Sequence, residues 1–276
     1  MWRFTTDDVD AAATLVETAV DAGMNLVDNA DVYGFDWGGS GFGACEELLG
    51  RVLAARPGLR DRIVLATKGG IVPPLPYDSG PDALRRACEA SLRRMGVERI
   101  DLYQVHRPDV YTHPAEVAAT LDALVADGKV GAVGVSNYTA AQTDALAAHL
   151  TAPLATTQPE FSAVVLEPLR DGTLDLCARI GVVPLAWSPL AGGRLASGDD
   201  VAPELVAVLD RLAGREGVDR AAIAVAFVLA HPTAPVAIVG SQQPARLAAL
   251  ARATDVVLDR NDVYDIVEAS DGVPLP

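Results

Sequence analysis

Four side chains stand where chemistry could be done. Asp28, Lys68 and His106 each close a short apolar run, and Tyr33 follows Asp28 by five positions in the segment MNLVDNADVYG. Each has an ordinary reading: a turn-capping carboxylate, a surface lysine, a satisfied core histidine. Together they suit proton donation to a carbonyl. A phenol with a pKa of about 10 is a poor acid at neutral pH, and lowering it by about three units takes roughly 4 kcal/mol of differential interaction. A charged lysine held beside the phenol supplies that stabilisation, a carboxylate holds the lysine, and an imidazole orients the carbonyl. An acid so placed is worth about 10²–10⁴ in rate. No side chain donates a hydride, so the electron pair calls for a nicotinamide cofactor.

The elements that must position these groups alternate. Apolar runs begin near residues 25, 63, 101, 130, 154, 182 and 236, and amphipathic stretches lie between them. The runs are continuously apolar, as in strands buried on both faces, and parallel pairing with helical crossovers follows. Polar residues close them in turn: Asp28, Lys68, His106, Ser136-Asn137, Gln158, Trp187-Ser188 and Gly240-Ser241. In a (β/α)8 TIM barrel those ends form the active face. No linker or low-complexity tract divides the chain, so one barrel domain is expected over residues 1–276. Seven strands are counted where a barrel has eight. The missing one precedes the first helix, and Met1-Trp2-Arg3 would be its tail, so the first strand and N-terminal hairpin read as truncated. The first helix is expected to start from a threonine cap at Thr6. An open doubly wound sheet is the rival, but no GxGxxG follows a first strand.

The chain has 276 residues, half of them hydrophobic, with a net charge of −15 and a pI of about 4.6. That balance argues against nucleic acid, which needs a basic face. The N-terminus is polar, and the longest apolar run, at 221–230, is too short for a bilayer. Three scattered cysteines without CxxC spacing read as buried thiols in a reducing cytoplasm, and no metal-ligand spacing is present. A monomer is the default.

The blocks DNADVYG (28–34), ATKGG (66–70), DLYQVHRPD (101–109), GKVGAVGVSNY (128–138), AWSPLAGGRL (186–195) and IVGSQQPARL (238–247) resemble the aldo-keto reductases. They run in that family's order through nearly the whole chain. The closest likeness is to its bacterial branch of predicted oxidoreductases. The resemblance implies NADP(H)-dependent reduction of a small aldehyde or ketone. Tyr33 would be the general acid, tuned by Lys68 and Asp28, with His106 orienting the carbonyl. Ser136, Asn137 and Gln158 would hold the nicotinamide carboxamide, and Trp187 would stack on the ring. Ser188, Leu190, Gly192 and Arg194 would line the pyrophosphate, with Gly192-Gly193 allowing close backbone approach. Gly240, Ser241 and Arg246 would cradle the adenosine 2′-phosphate, at a helix start that favours anions. Ala249 and Leu250 stand where many relatives place polar groups, which implies looser adenine recognition. Phe35, Trp37, Phe42 and Tyr77 suggest a pocket tolerant of apolar or aromatic substrates. Two other functions stay open on the residues alone: a Schiff-base aldolase with Lys68 as nucleophile, and a nucleotide-binding regulatory or degenerate module with negligible turnover.

Overall fold

The computed structural model describes residues 4, 6–35 and 40–275. Met1-Trp2-Arg3, expected as a strand tail, and the loop residue Trp37 lie outside them. Among the described residues are seven strands: β1 (Leu26–Asp28), β2 (Val64–Gly69), β3 (Ile100–Val105), β4 (Val130–Ser136), β5 (Leu154–Gln158), β6 (Val183–Trp187) and β7 (Val236–Ile238). The helices are α1 (Val9–Asp21), α2 (Ala44–Ala55), α3 (Pro81–Met95), α4 (Pro114–Ala126), α5 (Ala140–Ala147), α6 (Thr173–Ile180), α7 (Arg194–Ser197), α8 (Pro203–Glu216), α9 (Arg220–Leu229), α10 (Pro244–Ala251) and α11 (Arg260–Asp271). The strict alternation read from the sequence is present, and the fold class is the TIM barrel.

The backbone forms two compact units. One comprises Met1–Gln158 with Gly240–Pro244, the other Pro159–Val239 with Ala245–Pro276. In the first, β1 to β5 pair in chain order, every pair parallel. Period-2 alternation divides their side chains between two faces. Asp28, Ala66, Lys68, Leu102, Gln104, Gly134, Ser136, Thr156 and Gln158 share one face. Thr67, Tyr103, Val105, Val133 and Val135 point the other way. Thr67 there donates to Glu46 of α2 at 2.5 Å, and Arg94 of α3 pairs with Glu46 at 2.6 Å. One buried carboxylate thus ties a strand to two helices.

Helix ends follow local chemistry. α1 is capped by Asp8, whose Oδ1 accepts from the Asp10 and Ala11 N–H groups, not by Thr6. The Thr6 hydroxyl accepts from the Asp8 N–H instead, two residues too early to cap. Gly23, at φ +87°, ends the helix.

In the second unit β6 pairs parallel with β7. Its core gathers Phe161, Leu174, Leu205, Leu209, Leu212, Ile223, Phe227 and Ile266. The apolar run at 221–230 is largely α9, buried over most of its circumference. No helix among the described residues is long and apolar enough to cross a membrane. Cys45, Cys88 and Cys177 are buried and in no disulfide, and burial pushes the Cys88 thiol up to about 12.

Candidate active site

β1 is three residues long and delivers Asp28 to the shared face. Two further backbone bonds continue its pairing: Asn29 N–H donates to Ala66 O and Asp31 N–H to Lys68 O. They carry the loop alongside β2, and the loop turns Tyr33 back over Lys68. Lys68 stands on β2 one register step from Asp28, since Asp28 is opposite Ala66. Its stem and ammonium are fully buried, as is Asp28.

The ammonium has three N–H donors, and three acceptors meet it: Asp28 Oδ2 at 2.6 Å, the Asn29 carbonyl at 2.8 Å and the Tyr33 hydroxyl oxygen at 3.1 Å. Burial alone would push the Lys68 pKa down. The Asp28 carboxylate and the Tyr33 hydroxyl outweigh it and hold the pKa above its ordinary value. Lys68 is therefore a cation, which disfavours the aldolase reading, because a Schiff-base lysine must present a free amine. Nζ also lies 4.9 Å from the centre of the Tyr33 ring. His106 follows β3, and its N–H donates to Gly69 O. Its ring meets Tyr33 edge-on at 5.7 Å. Tyr33 and His106 are both buried, at 2% and 8% exposure. The four predicted side chains are thus one cluster, although they are separated in sequence by up to 78 positions.

Ser136, Asn137 and Gln158 adjoin this cluster. Ser136 Oγ donates to Gln158 O, and Asn137 Nδ2 donates to Ser136 Oγ at 2.8 Å and to His106 O at 3.3 Å. Asn137 sits at φ +60°, a conformation asparagine tolerates better than most residues. Gln158 Nε2 donates to Asp28 Oδ1 at 3.2 Å. Gly240 and Ser241 follow β7, and Ser241 Oγ accepts from the Gln243 N–H. In the second unit Trp187 ends β6. Ser188 and Ala191 take positive φ, as do Gly192 and Gly193, and Gly192 N–H donates to Ser188 Oγ. Leu190 packs on that unit's core. Arg194 braces its own loop, donating to the Ala191 and Asp200 carbonyls. Arg246 is exposed in the first turn of α10. His113 caps α4, and His231 bonds Thr233.

Four residues of consequence escape a reading based on strand ends. Gln104, two positions before His106, donates from Nε2 to Asp28 Oδ1 at 2.9 Å. Asn29 lends its carbonyl to Lys68. Asp31 and Glu46 are buried carboxyls behind the Tyr33 loop. Period 2 from His106 picks out Gln104 as sharing its face, and a polar residue there was the available signal. Nothing local marks Asp31 or Glu46 as buried.

A carboxylate on a short parallel strand, a buried ammonium against a phenol and an imidazole at its edge form one cluster at the strand ends of a TIM barrel. The profile of the aldo/keto reductase family matches residues 1–271. Among similar proteins is a 6-dehydroglucose reductase of Novosphingobium aromaticivorans, 50% identical over all of this chain and 91% of that protein. Another 6-dehydroglucose reductase, from Agrobacterium fabrum, is 37% identical over 96% of this chain and 91% of that one. A solved thermostable aldo-keto reductase in complex with the inhibitor epalrestat superposes with a TM-score of 0.82, covering 95% of this chain and 88% of that one at 24% identity. The chain belongs to the aldo/keto reductase family, and it is an oxidoreductase of that family.

Proposed function

We propose that the protein reduces an aldehyde to an alcohol with NADP(H), and that the aldehyde is carried by a sugar. The observation that carries the reading is the Lys68 ammonium, held by Asp28 and the Asn29 carbonyl while it donates to the Tyr33 hydroxyl oxygen. An ammonium in that place stabilises the phenolate left when Tyr33 gives up its proton. Tyr33 protonates the carbonyl oxygen, and His106 orients that oxygen. A nicotinamide supplies the hydride when bound.

The residues present suit such a cofactor. Ser136, Asn137 and Gln158 offer amide and hydroxyl partners for a carboxamide. In the 240–244 segment the Gln242 Nε2 is buried without a partner, which suits a polar ligand there. To these residues of the first unit we add Gly240 and Ser241, and from the second unit Trp187, Ser188, Leu190, Gly192, Arg194 and Arg246. Arg246 is the argument for NADP over NAD, because a guanidinium forks onto phosphate. The sugar aldehyde rests on the two relatives named 6-dehydroglucose reductase.

The test is consumption of NADPH with 6-dehydroglucose and a panel of aldehydes. Turnover is expected with the sugar aldehyde, and Tyr33→Phe is expected to lower kcat by about 10²–10⁴ while NADPH binding survives. Equal rates for the variant and the parent would remove Tyr33 from its role. Turnover of other aldehydes with none of the sugar would move the substrate class.

A further inference from the structure

Asp28 accepts more than the lysine. Its Oδ2 faces Lys68, and its Oδ1 accepts from two side-chain amides, Gln104 Nε2 at 2.9 Å and Gln158 Nε2 at 3.2 Å. The orientation of Gln104 is set by its other end: Oε1 accepts from the Thr156 hydroxyl at 3.5 Å and from Gln158 Nε2 at 3.4 Å. Gln104 is fully buried. The backbone makes room for it. β4 and β5 shift register between Val133 and Gly134, and a Cβ at Gly134 would collide with the Thr156 hydroxyl and press on Gln104 Cγ. Such irregularities re-aim side chains beside active sites.

We infer that Gln104 is a positioning residue of the proton-donating site, the amide donor that holds the Asp28 carboxylate and through it sets the Lys68 ammonium against Tyr33. The inference rests on the reading above, in which Tyr33 is the acid and Gln158 serves the cofactor. A Gln158 recruited to a carboxamide has less to give Asp28, whereas Gln104 keeps its Thr156 partner and its donation to Asp28. The division of labour follows from chemistry. Hydrogen bonds to a carboxylate spread its charge and leave less of it to offset a neighbouring ammonium. Without Gln104, the Asp28 carboxylate offsets the Lys68 charge more completely, the cationic field at Tyr33 weakens, and the phenol becomes a weaker acid.

Among the described residues, charged and titratable groups near this phenol come from several elements. Asp28 comes from β1. Asp31 lies further along the Tyr33 loop, its carboxyl pushed well up by burial. Lys68 comes from β2 and His106 from the end of β3. β4 and β5 bring only neutral Ser136, Thr156 and Gln158, with Asn137 following β4.

The experiment compares Gln104→Met and Gln104→Glu with the parent. Met keeps the volume and removes the donor. Its kcat is expected to fall by about tenfold with KM within about twofold, and the alkaline limb of kcat to move up by about half a pH unit or more, since a weaker acid holds its proton longer. Glu keeps the shape. Protonated it still donates to Asp28, and ionised it faces Asp28 as a like charge, so its deficit is expected to deepen as pH rises. A purely structural role lowers the melting temperature and leaves the shape of the profile unchanged; superposable profiles overturn the proposal. A second readout needs no turnover. Ultraviolet difference titration of the parent against Tyr33→Phe isolates one phenol among six tyrosines, and the same subtraction in the Gln104→Met background is expected to titrate higher. If the parent turns over no carbonyl, the functional reading fails, while the difference titration still decides the role of Gln104.

Discussion

Lys68 has three N–H bonds to give, and three acceptors take them. That economy explains how a cation survives full burial, where an unpaired one would cost several kcal/mol. Asp31 presents the opposite case. It is 2% exposed, and its Oδ1 has no partner. Burial first, and then the nearby Glu46 carboxylate, push its pKa well above the ordinary 3.8, against the smaller pull of Arg94, the Val32 N–H and Lys68. A carboxyl whose folded pKa lies above its unfolded value binds its proton more tightly in the native state. Its share of stability is therefore complete below the ordinary carboxylate range and is lost as pH rises through the raised value. Asp31→Asn is always neutral and is expected to escape that loss. It should raise stability at neutral pH by about 1 kcal/mol or more, with the gain vanishing toward pH 3. Thermal melts of both proteins across pH measure it. A gain independent of pH would mean that Asp31 does not titrate as described.

At the scale of elements, β1 is short because it has one task, to place Asp28 and hand the chain to the Tyr33 loop. That loop is backed by α2, and α2 lies close against α3 because Gly50 has no side chain: a Cβ there would strike the Arg94 carbonyl and the Met95 backbone. Alanine usually stabilises a helix interior by about 1 kcal/mol over glycine. Here the obstacle is backbone, which cannot rotate aside, and overpacking of that kind costs about 1–3 kcal/mol. Gly50→Ala is thus expected to be net destabilising, as read from its denaturant midpoint, and to disturb Glu46 and the Tyr33 loop it supports. A stabilised variant would show that the two helices separate easily. Strand and helix identities were legible from apolar runs and caps to within a few residues. The cap at Asp8 rather than Thr6 was not, because both sit before the same periodic segment and only backbone geometry chooses between them.

For the whole molecule, a net charge of −15 works against any anionic cofactor, so affinity must come from local donors rather than from the overall field. A ligand that binds only the native state at one hundred times its Kd adds about 2.7 kcal/mol of stability, which in a chain of this length raises Tm by roughly 5 °C or more. NADPH is expected to produce that shift and NADH a smaller one at equal concentration. Equal shifts, measured by differential scanning fluorimetry, would remove the 2′-phosphate from recognition and Arg246 with it. No group of three or more potential metal ligands occurs among the described residues.

By itself the sequence determined the order of strands and helices and the positions of Asp28, Tyr33, Lys68 and His106. A polar residue that closes an apolar run is a local pattern, and a parallel fold sends every such end the same way. Which of these side chains touch was decided by tertiary structure. Gln104 and Gln158 reach one oxygen of Asp28 across sequence separations of 76 and 130 residues. Those contacts depend on strand register, on a shift beside Gly134 and on the space that a missing Cβ leaves. The burial of Asp31 and Glu46 was likewise settled only when α2 and α3 closed over the loop. Residue type announces a carboxylate's charge, but the packing around it decides whether that charge is held.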